Sequence, residues 1–157
     1  MKKLKKIIAA TMLAGVMALA VGCSGKSDDA ETLDVAKMQT NLTEANVLLN
    51  PSMESPATEH WIFEEVKDKI EDGFVNQAMI NVKLQDVIVV KTTDTDSVVK
   101  ALENYKENSL KMFGDGYGGE ENITAVADSK LEVVGDVVYF IATENAQDVE
   151  NALLGKK

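Results

Sequence analysis

Apolar residues recur three to four positions apart in several parts of this chain, which is the spacing of an amphipathic helix. Ser55 and Pro56 resemble an N-cap and a first helical residue, and Gly73 resembles a C-terminal stop. Asp94 or Asp96 would cap a later helix. The pattern predicts helices over residues 32–49, 55–73, 94–114 and 145–154.

Two other parts of the chain predict hairpins. One pairs Met79–Leu84 with Val87–Val90, and the other pairs Lys130–Val134 with Val137–Ala142 around the turn dipeptide Gly135-Asp136. A helix follows each hairpin, and similar residues recur about fifty positions apart, through duplication or by chance. We therefore predict an α+β fold, with N-terminal helices and then two hairpin–helix units that form an antiparallel sheet with helices on one face.

The first 23 residues pass from basic to apolar to small side chains. Residues 2–6 hold four lysines, residues 7–21 hold no charge, and the segment closes at Ala20-Val21-Gly22-Cys23. This order is typical of a secretion signal. A run of 15 residues is short for a membrane-spanning helix, which needs about 20. Simple secretion would leave Cys23, the only cysteine, as a free reactive thiol.

The end of this segment resembles the lipobox of bacterial lipoproteins. Val21, Gly22 and Cys23 fit that motif, whereas Ala20 stands where leucine is usual. The resemblance implies cleavage between Gly22 and Cys23 and attachment of a diacylglyceryl group to Cys23. It also implies that the lipid anchors the protein on the extracytoplasmic face of the bacterial cell membrane. The predicted organisation is a signal peptide at 1–22, the lipidated cysteine with a flexible tether at 23–31, and one α+β domain at 32–157.

The chain is acidic, with 16 lysines, no arginine and 26 acidic residues, for a net charge of −10. Four of the lysines lie in the predicted signal, so the mature chain would be more acidic still. Nucleic acid is not an expected partner, because its binding depends on basic groups. The lack of arginine also disfavours phosphorylated ligands. The acidic excess indicates either a solvated surface or a cationic or neutral partner.

No catalytic residues, metal ligands or cofactor are predicted. His60 is the only histidine, no Gly-x-Ser-x-Gly motif accompanies it, and histidine and cysteine are too few for a zinc site. We expect His60 to lie on the surface or to cap a helix, and Trp61 to pack at a helix start. The acidic, glycine-rich loop 115–122 could hold calcium, although its spacing differs from an EF-hand.

Three features of the second half are the motif Tyr117-Gly118-Gly119-Glu120-Glu121, the segment Gly135–Tyr139 and the closing helix. On these features, about residues 79–154 resemble an uncharacterised family of small lipoproteins from Gram-positive bacteria that carry a domain of unknown function. Gly119 stands where the family pattern Tyr-x-Pro-x-Glu has proline. The resemblance implies an envelope location and a compact α+β domain, without an assigned activity. Tyr117, Glu120 and Glu121 form a candidate interaction loop.

The sequence as a whole predicts a lipid-anchored, non-catalytic module that binds another protein of the cell envelope. The alternative is a lipoprotein that binds a small ligand or a cation and serves a transporter. A hydrolase that uses His60 as its base ranks last, because no nucleophile motif accompanies that histidine.

Overall fold

Two adjacent apolar strands form the centre of the sheet in a computed structural model, which describes residues 32–156. Within that range the antiparallel strand order is β1-β2-β3-β5-β4. The strands are β1 Ser52–Pro56, β2 Ile70–Ala78, β3 Asp86–Thr92, β4 Lys130–Val134 and β5 Val137–Ala142. The helices are α1 Val35–Ala45, α2 Thr95–Asn108, α3 Lys111–Gly114, α4 Glu120–Ala127 and α5 Ala146–Leu153, with short 3₁₀ turns at Ala57–Glu59, Trp61–Phe63 and Lys67–Lys69.

Strands β3 and β5 are buried on both faces of the sheet. Every residue of β5 is buried, and in β3 only Lys91 is partly exposed. Ile88 and Val90 project into one core with α2, whereas Val87 and Val89 project into a second core with α1 and α5. The α+β class and the antiparallel sheet are confirmed, but helices cover both faces rather than one. Strands that are apolar on both faces require helices on both sides of the sheet, since each face must be shielded from water.

The two predicted hairpin–helix units therefore differ in their surroundings. The helix that follows β3, α2, buries Val98 and Leu102 in the first core. The helix that follows β5, α5, buries Val149 and Leu153 in the second core. The similar sequences of the two units thus place their helices on opposite faces of one sheet.

Several local predictions are confirmed. The hairpin of β4 and β5 has the predicted bounds, and Gly135 in its turn has a φ of 63°. The Asp94 side chain caps α2 by accepting a hydrogen bond of 3.1 Å from the backbone N–H of Ser97. Helices α1 and α5 lie inside the predicted segments.

The helix predicted over residues 55–73 is wrong. Pro56 ends the edge strand β1, the next residues form the 3₁₀ turns, and Gly73 lies within β2. A Cβ atom at Gly73 would lie 2.4 Å from the carbonyl oxygen of Val89, so this glycine allows β2 to approach β3 closely. The strand predicted over Met79–Leu84 is also wrong, because these residues form the loop between β2 and β3.

The predicted third helix is divided in two. Helix α2 ends at Asn108, and the separate short helix α3 reaches Gly114. Across residues 32–156, no helix combines the length and the apolar character that a membrane-spanning segment requires.

Candidate functional site

The candidate interaction loop lies on the surface, where Tyr117, Glu120 and Glu121 are all exposed. A buried amide, Asn122, joins this loop to the β2–β3 loop. Its Nδ2 donates to the carbonyl oxygens of Val82 at 2.9 Å and Tyr117 at 2.8 Å, and its Oδ1 accepts from the backbone N–H of Leu84 at 2.9 Å. The two loops therefore form one connected structure.

A glycine is required where the two loops meet. Gly118 has a φ of 82°, and a Cβ atom there would lie 2.1 Å from the carbonyl oxygen of Val82. Any larger residue would separate the loops and break the hydrogen bonds of Asn122. The glycine-rich sequence at 116–119 thus allows its backbone to lie close to the backbone of the β2–β3 loop.

The joined loops expose an unusual share of apolar side chains. Of the ten large hydrophobic residues that are strongly exposed within residues 32–156, six lie on the β2–β3 loop, α3, the glycine-rich loop or α4. Their exposed fractions run from 40% at Ile123 to 64% at Met79. We call this set the loop surface, and it comprises Met79, Ile80, Val82, Met112, Tyr117 and Ile123.

Acidic residues border the loop surface. Asp115 pairs with Lys111, Glu121 lies 3.9 Å from Lys83, and Glu120 is exposed. In the described part of the chain, no group of three or more His, Cys, Asp or Glu residues could hold a metal ion. The calcium alternative for loop 115–122 therefore gains no support from the geometry.

A second feature is a network of polar side chains that connects α2 to strands β2 and β3. Tyr105 Oη donates to Oδ2 of Asp86 at 2.6 Å, and Nε2 of Gln77 lies 3.1 Å from both Oδ1 of Asp86 and Oη of Tyr105. Gln77 Oε1 is also 3.1 Å from Nε2 of His60. The backbone N–H of Ile62 donates to Nδ1 of His60 at 3.4 Å, so Nε2 carries the proton and donates to Gln77.

Burial controls the protonation of this network. Asp86 is only 3% exposed, and burial raises its pKa from 3.8 to about 6, although the hydrogen bonds from Tyr105 and Gln77 oppose this shift. Burial also raises the pKa of the Tyr105 hydroxyl, with the Asp86 carboxylate adding to the effect. The pKa of His60 is lowered mainly by desolvation. The histidine is therefore neutral near pH 7.

The network does not form a nucleophile–base–acid arrangement. The His60 ring donates to an amide oxygen and accepts from a backbone N–H, and among the residues described it forms no hydrogen bond with a serine, a threonine or a carboxylate. His60 caps the 3₁₀ turn that begins at Trp61, as expected of a capping residue. The hydrolase alternative thus lacks a nucleophile at this histidine.

A groove of about 640 Å³ opens beside this network, between the 3₁₀ turns and α2. Trp61 lies at the groove with 61% of its surface exposed, and its ring meets that of Tyr105 at 5.6 Å and 72°. As predicted, Trp61 lies at a helix start, the 3₁₀ turn Trp61–Phe63, and its ring packs against Tyr105 while much of its surface stays exposed. Gly22 and Cys23, the predicted cleavage and lipid sites, lie outside the described residues.

These features define an α+β domain with a central antiparallel sheet, an apolar loop surface and a separate groove. Residues 62–143 match the family described as Domain of unknown function (DUF4358). The match covers more than half of the chain, so the protein belongs to this family. The prediction of a domain of unknown function is thereby confirmed. No curated protein and no solved structure matches the chain.

Proposed function

We propose that this protein is a lipid-anchored module that binds another protein at the extracytoplasmic face of the bacterial membrane, through the loop surface. The observation that supports this most directly is the concentration of exposed apolar side chains on the two joined loops and the adjoining short helices α3 and α4. Soluble domains rarely leave large apolar areas open to water, and such areas are typical of contact surfaces.

The hydrogen bonds of Asn122 give this surface a defined shape. An ordered surface loses little conformational entropy on binding, which favours recognition of a folded partner. Glu120, which pairs with no lysine in the described residues, and the net charge of −10 favour a partner with a complementary apolar area and a rim of lysine or arginine. We expect the association rate to fall as salt is raised, because screening weakens long-range attraction.

The proposed anchor on Cys23 explains how a modest contact would suffice. Two acyl chains hold a protein stably at a membrane, whereas a single chain gives only reversible binding. Confinement to the membrane raises the local concentration of both partners, so that a weak interaction becomes effective. Cys23→Ser should move the protein from the membrane fraction to soluble or unprocessed forms. Normal cleavage with unchanged membrane retention would contradict the anchor.

The contact itself can be tested by photo-crosslinking in intact cells. A photoreactive phenylalanine analogue at Tyr117 should give one crosslinked product of defined mass, and the product should disappear when Val82→Asp is added. The matched control is the same analogue at Val133, which is similarly exposed at 47% but lies on β4. Equal products from both positions, or none from Tyr117, would refute the loop surface as the contact.

A further inference from the structure

The groove beside Trp61 combines an exposed aromatic ring with polar side chains. Trp61 is held in place by two ring contacts, with Tyr105 at 5.6 Å and with His60 at 5.8 Å. Because Tyr105 is itself anchored by its hydrogen bond to Asp86, the ring of Trp61 rests on a fixed support. The groove volume of about 640 Å³ falls within the range of about 300–1,000 Å³ that is usual for small-molecule sites.

The charges that line the groove balance one another. Lys69 is bound to Asp94 at 2.5 Å, and Glu64 is bound to Lys67 at 2.7 Å. Two charged groups remain, Lys100 and Glu65, for which the described residues provide no ion-pair partner. One is basic and the other is acidic. In a strongly acidic chain, this local neutrality disfavours both a cationic and an anionic ligand.

The helix α2 contributes two amides to the groove. Asn104 and Asn108 are four positions apart and therefore lie on the same side of the helix. Asn108 Nδ2 donates to the backbone oxygen of Asn104 at 2.9 Å. The side-chain amide of Asn104 is exposed and has no hydrogen-bond partner within residues 32–156. It is thus free to donate to and to accept from a ligand.

We infer that this groove binds a neutral saccharide. A pyranose ring has a face of C–H groups and a rim of hydroxyl groups. The face would lie against Trp61, and the hydroxyls would meet Asn104, Lys100 and Glu65, which together supply donors and acceptors. This site uses different residues from the loop surface and does not depend on the proposed protein contact.

Fluorescence offers a direct test, because Trp61 is the only tryptophan in the chain. The full chain in a sugar-free detergent would be titrated with the neutral hexasaccharides hexa-N-acetylchitohexaose, cellohexaose and maltohexaose, and with spermine as a cationic probe. At least one hexasaccharide should shift the emission of Trp61 to saturation, and spermine should not. No shift with any of the three up to about 10 mM would overturn the inference. A response to spermine alone would overturn it too, since it indicates a cation–π site.

Variants separate a binding role from a structural one. Trp61→Ala, followed by calorimetry, should weaken saccharide binding about tenfold or more, as truncation of a central aromatic residue does. Asn104→Ala should weaken binding without lowering the melting temperature, because its side chain is exposed and makes no hydrogen bond within residues 32–156. Glu103→Gln, the neighbouring exposed position, is the matched control and should bind normally. Unchanged affinity in both Trp61→Ala and Asn104→Ala would refute the site.

Discussion

Replacing Asp86 by asparagine should stabilise the protein at pH 8 and destabilise it slightly at pH 4. The pKa of Asp86 is raised from 3.8 to about 6 in the folded protein, so the folded state binds this proton more tightly than the unfolded chain does. The stability that depends on this proton is complete below pH 3.8 and is lost as the pH rises through about 6. Two pKa units correspond to roughly 3 kcal/mol, which is the cost of a buried carboxylate at pH 8.

Asparagine removes this cost but also loses one hydrogen bond. Asp86 accepts from both Tyr105 and Gln77. An amide offers one acceptor, so its NH₂ group would face the donor of Gln77, at a cost of about 1 kcal/mol. The net gain at pH 8 is therefore about 2 kcal/mol, or roughly 8 °C in melting temperature for a domain of this size. Below about pH 4 to 5 the Asp86 carboxyl is protonated in the folded wild type, so the substitution no longer removes a buried charge. Only the lost hydrogen bond remains, and Asp86→Asn is then less stable than wild type.

Urea unfolding of both proteins from pH 4 to pH 8 would measure the difference directly. Other titrating groups are common to both chains and cancel in the comparison. Glu103→Gln is the control, because Glu103 is exposed and its carboxylate has no hydrogen-bond partner among the described residues. A constant difference between wild type and Asp86→Asn over this range would refute the reasoning. It would mean that Asp86 titrates alike in the folded and unfolded states.

Two further substitutions test how the structure is held together. Asn122→Ala should cost about 3 kcal/mol in urea unfolding, because three hydrogen bonds are lost, whereas Asn108→Ala on the exposed face of α2 should cost less than about 0.5 kcal/mol. A small effect of Asn122→Ala would show that the loops are held by other contacts. Gly73→Ala should lower the melting temperature by more than Gly135→Ala does, because a Cβ atom meets backbone at Gly73 and open space at Gly135. Equal losses would contradict the close approach of β2 and β3.

The success of sequence-based prediction depended on whether an element is determined locally. The hairpin of β4 and β5 is continuous in sequence, has a favoured turn at Gly135-Asp136 and has apolar strands, so its signals agree. Strand β2 has no such signal. Its sequence, Ile70–Ala78, contains charged residues, amides and a glycine, and it is a strand because it pairs with β3 over seven positions. Tertiary pairing of this kind overrides local propensity.

The helix predicted over residues 55–73 failed for a related reason. Ile62, Phe63 and Val66 are spaced like one face of a helix, but 3₁₀ turns have a similar period and place the same residues against the core. The prediction of a strand over Met79–Leu84 was wrong because the apolar residues of this loop have the spacing of a strand. Of these, Met79, Ile80 and Val82 are exposed to water, and they contribute half of the loop surface. A pattern of apolar residues alone cannot distinguish a buried core from an exposed apolar surface.

The two candidate sites differ in how far sequence could reveal them. The loop of Tyr117, Glu120 and Glu121 is a short, polar, glycine-rich segment, and its exposure follows from composition alone. The polar network that supports Trp61 follows from strand register, which places Gln77 directly opposite Asp86. One residue of slip would turn Gln77 toward the opposite face and away from Tyr105. Asp86→Asn and the saccharide titration therefore probe linked parts of one structure. In this register, the carboxylate that lowers stability at pH 8 also fixes Tyr105, the aromatic support of the groove.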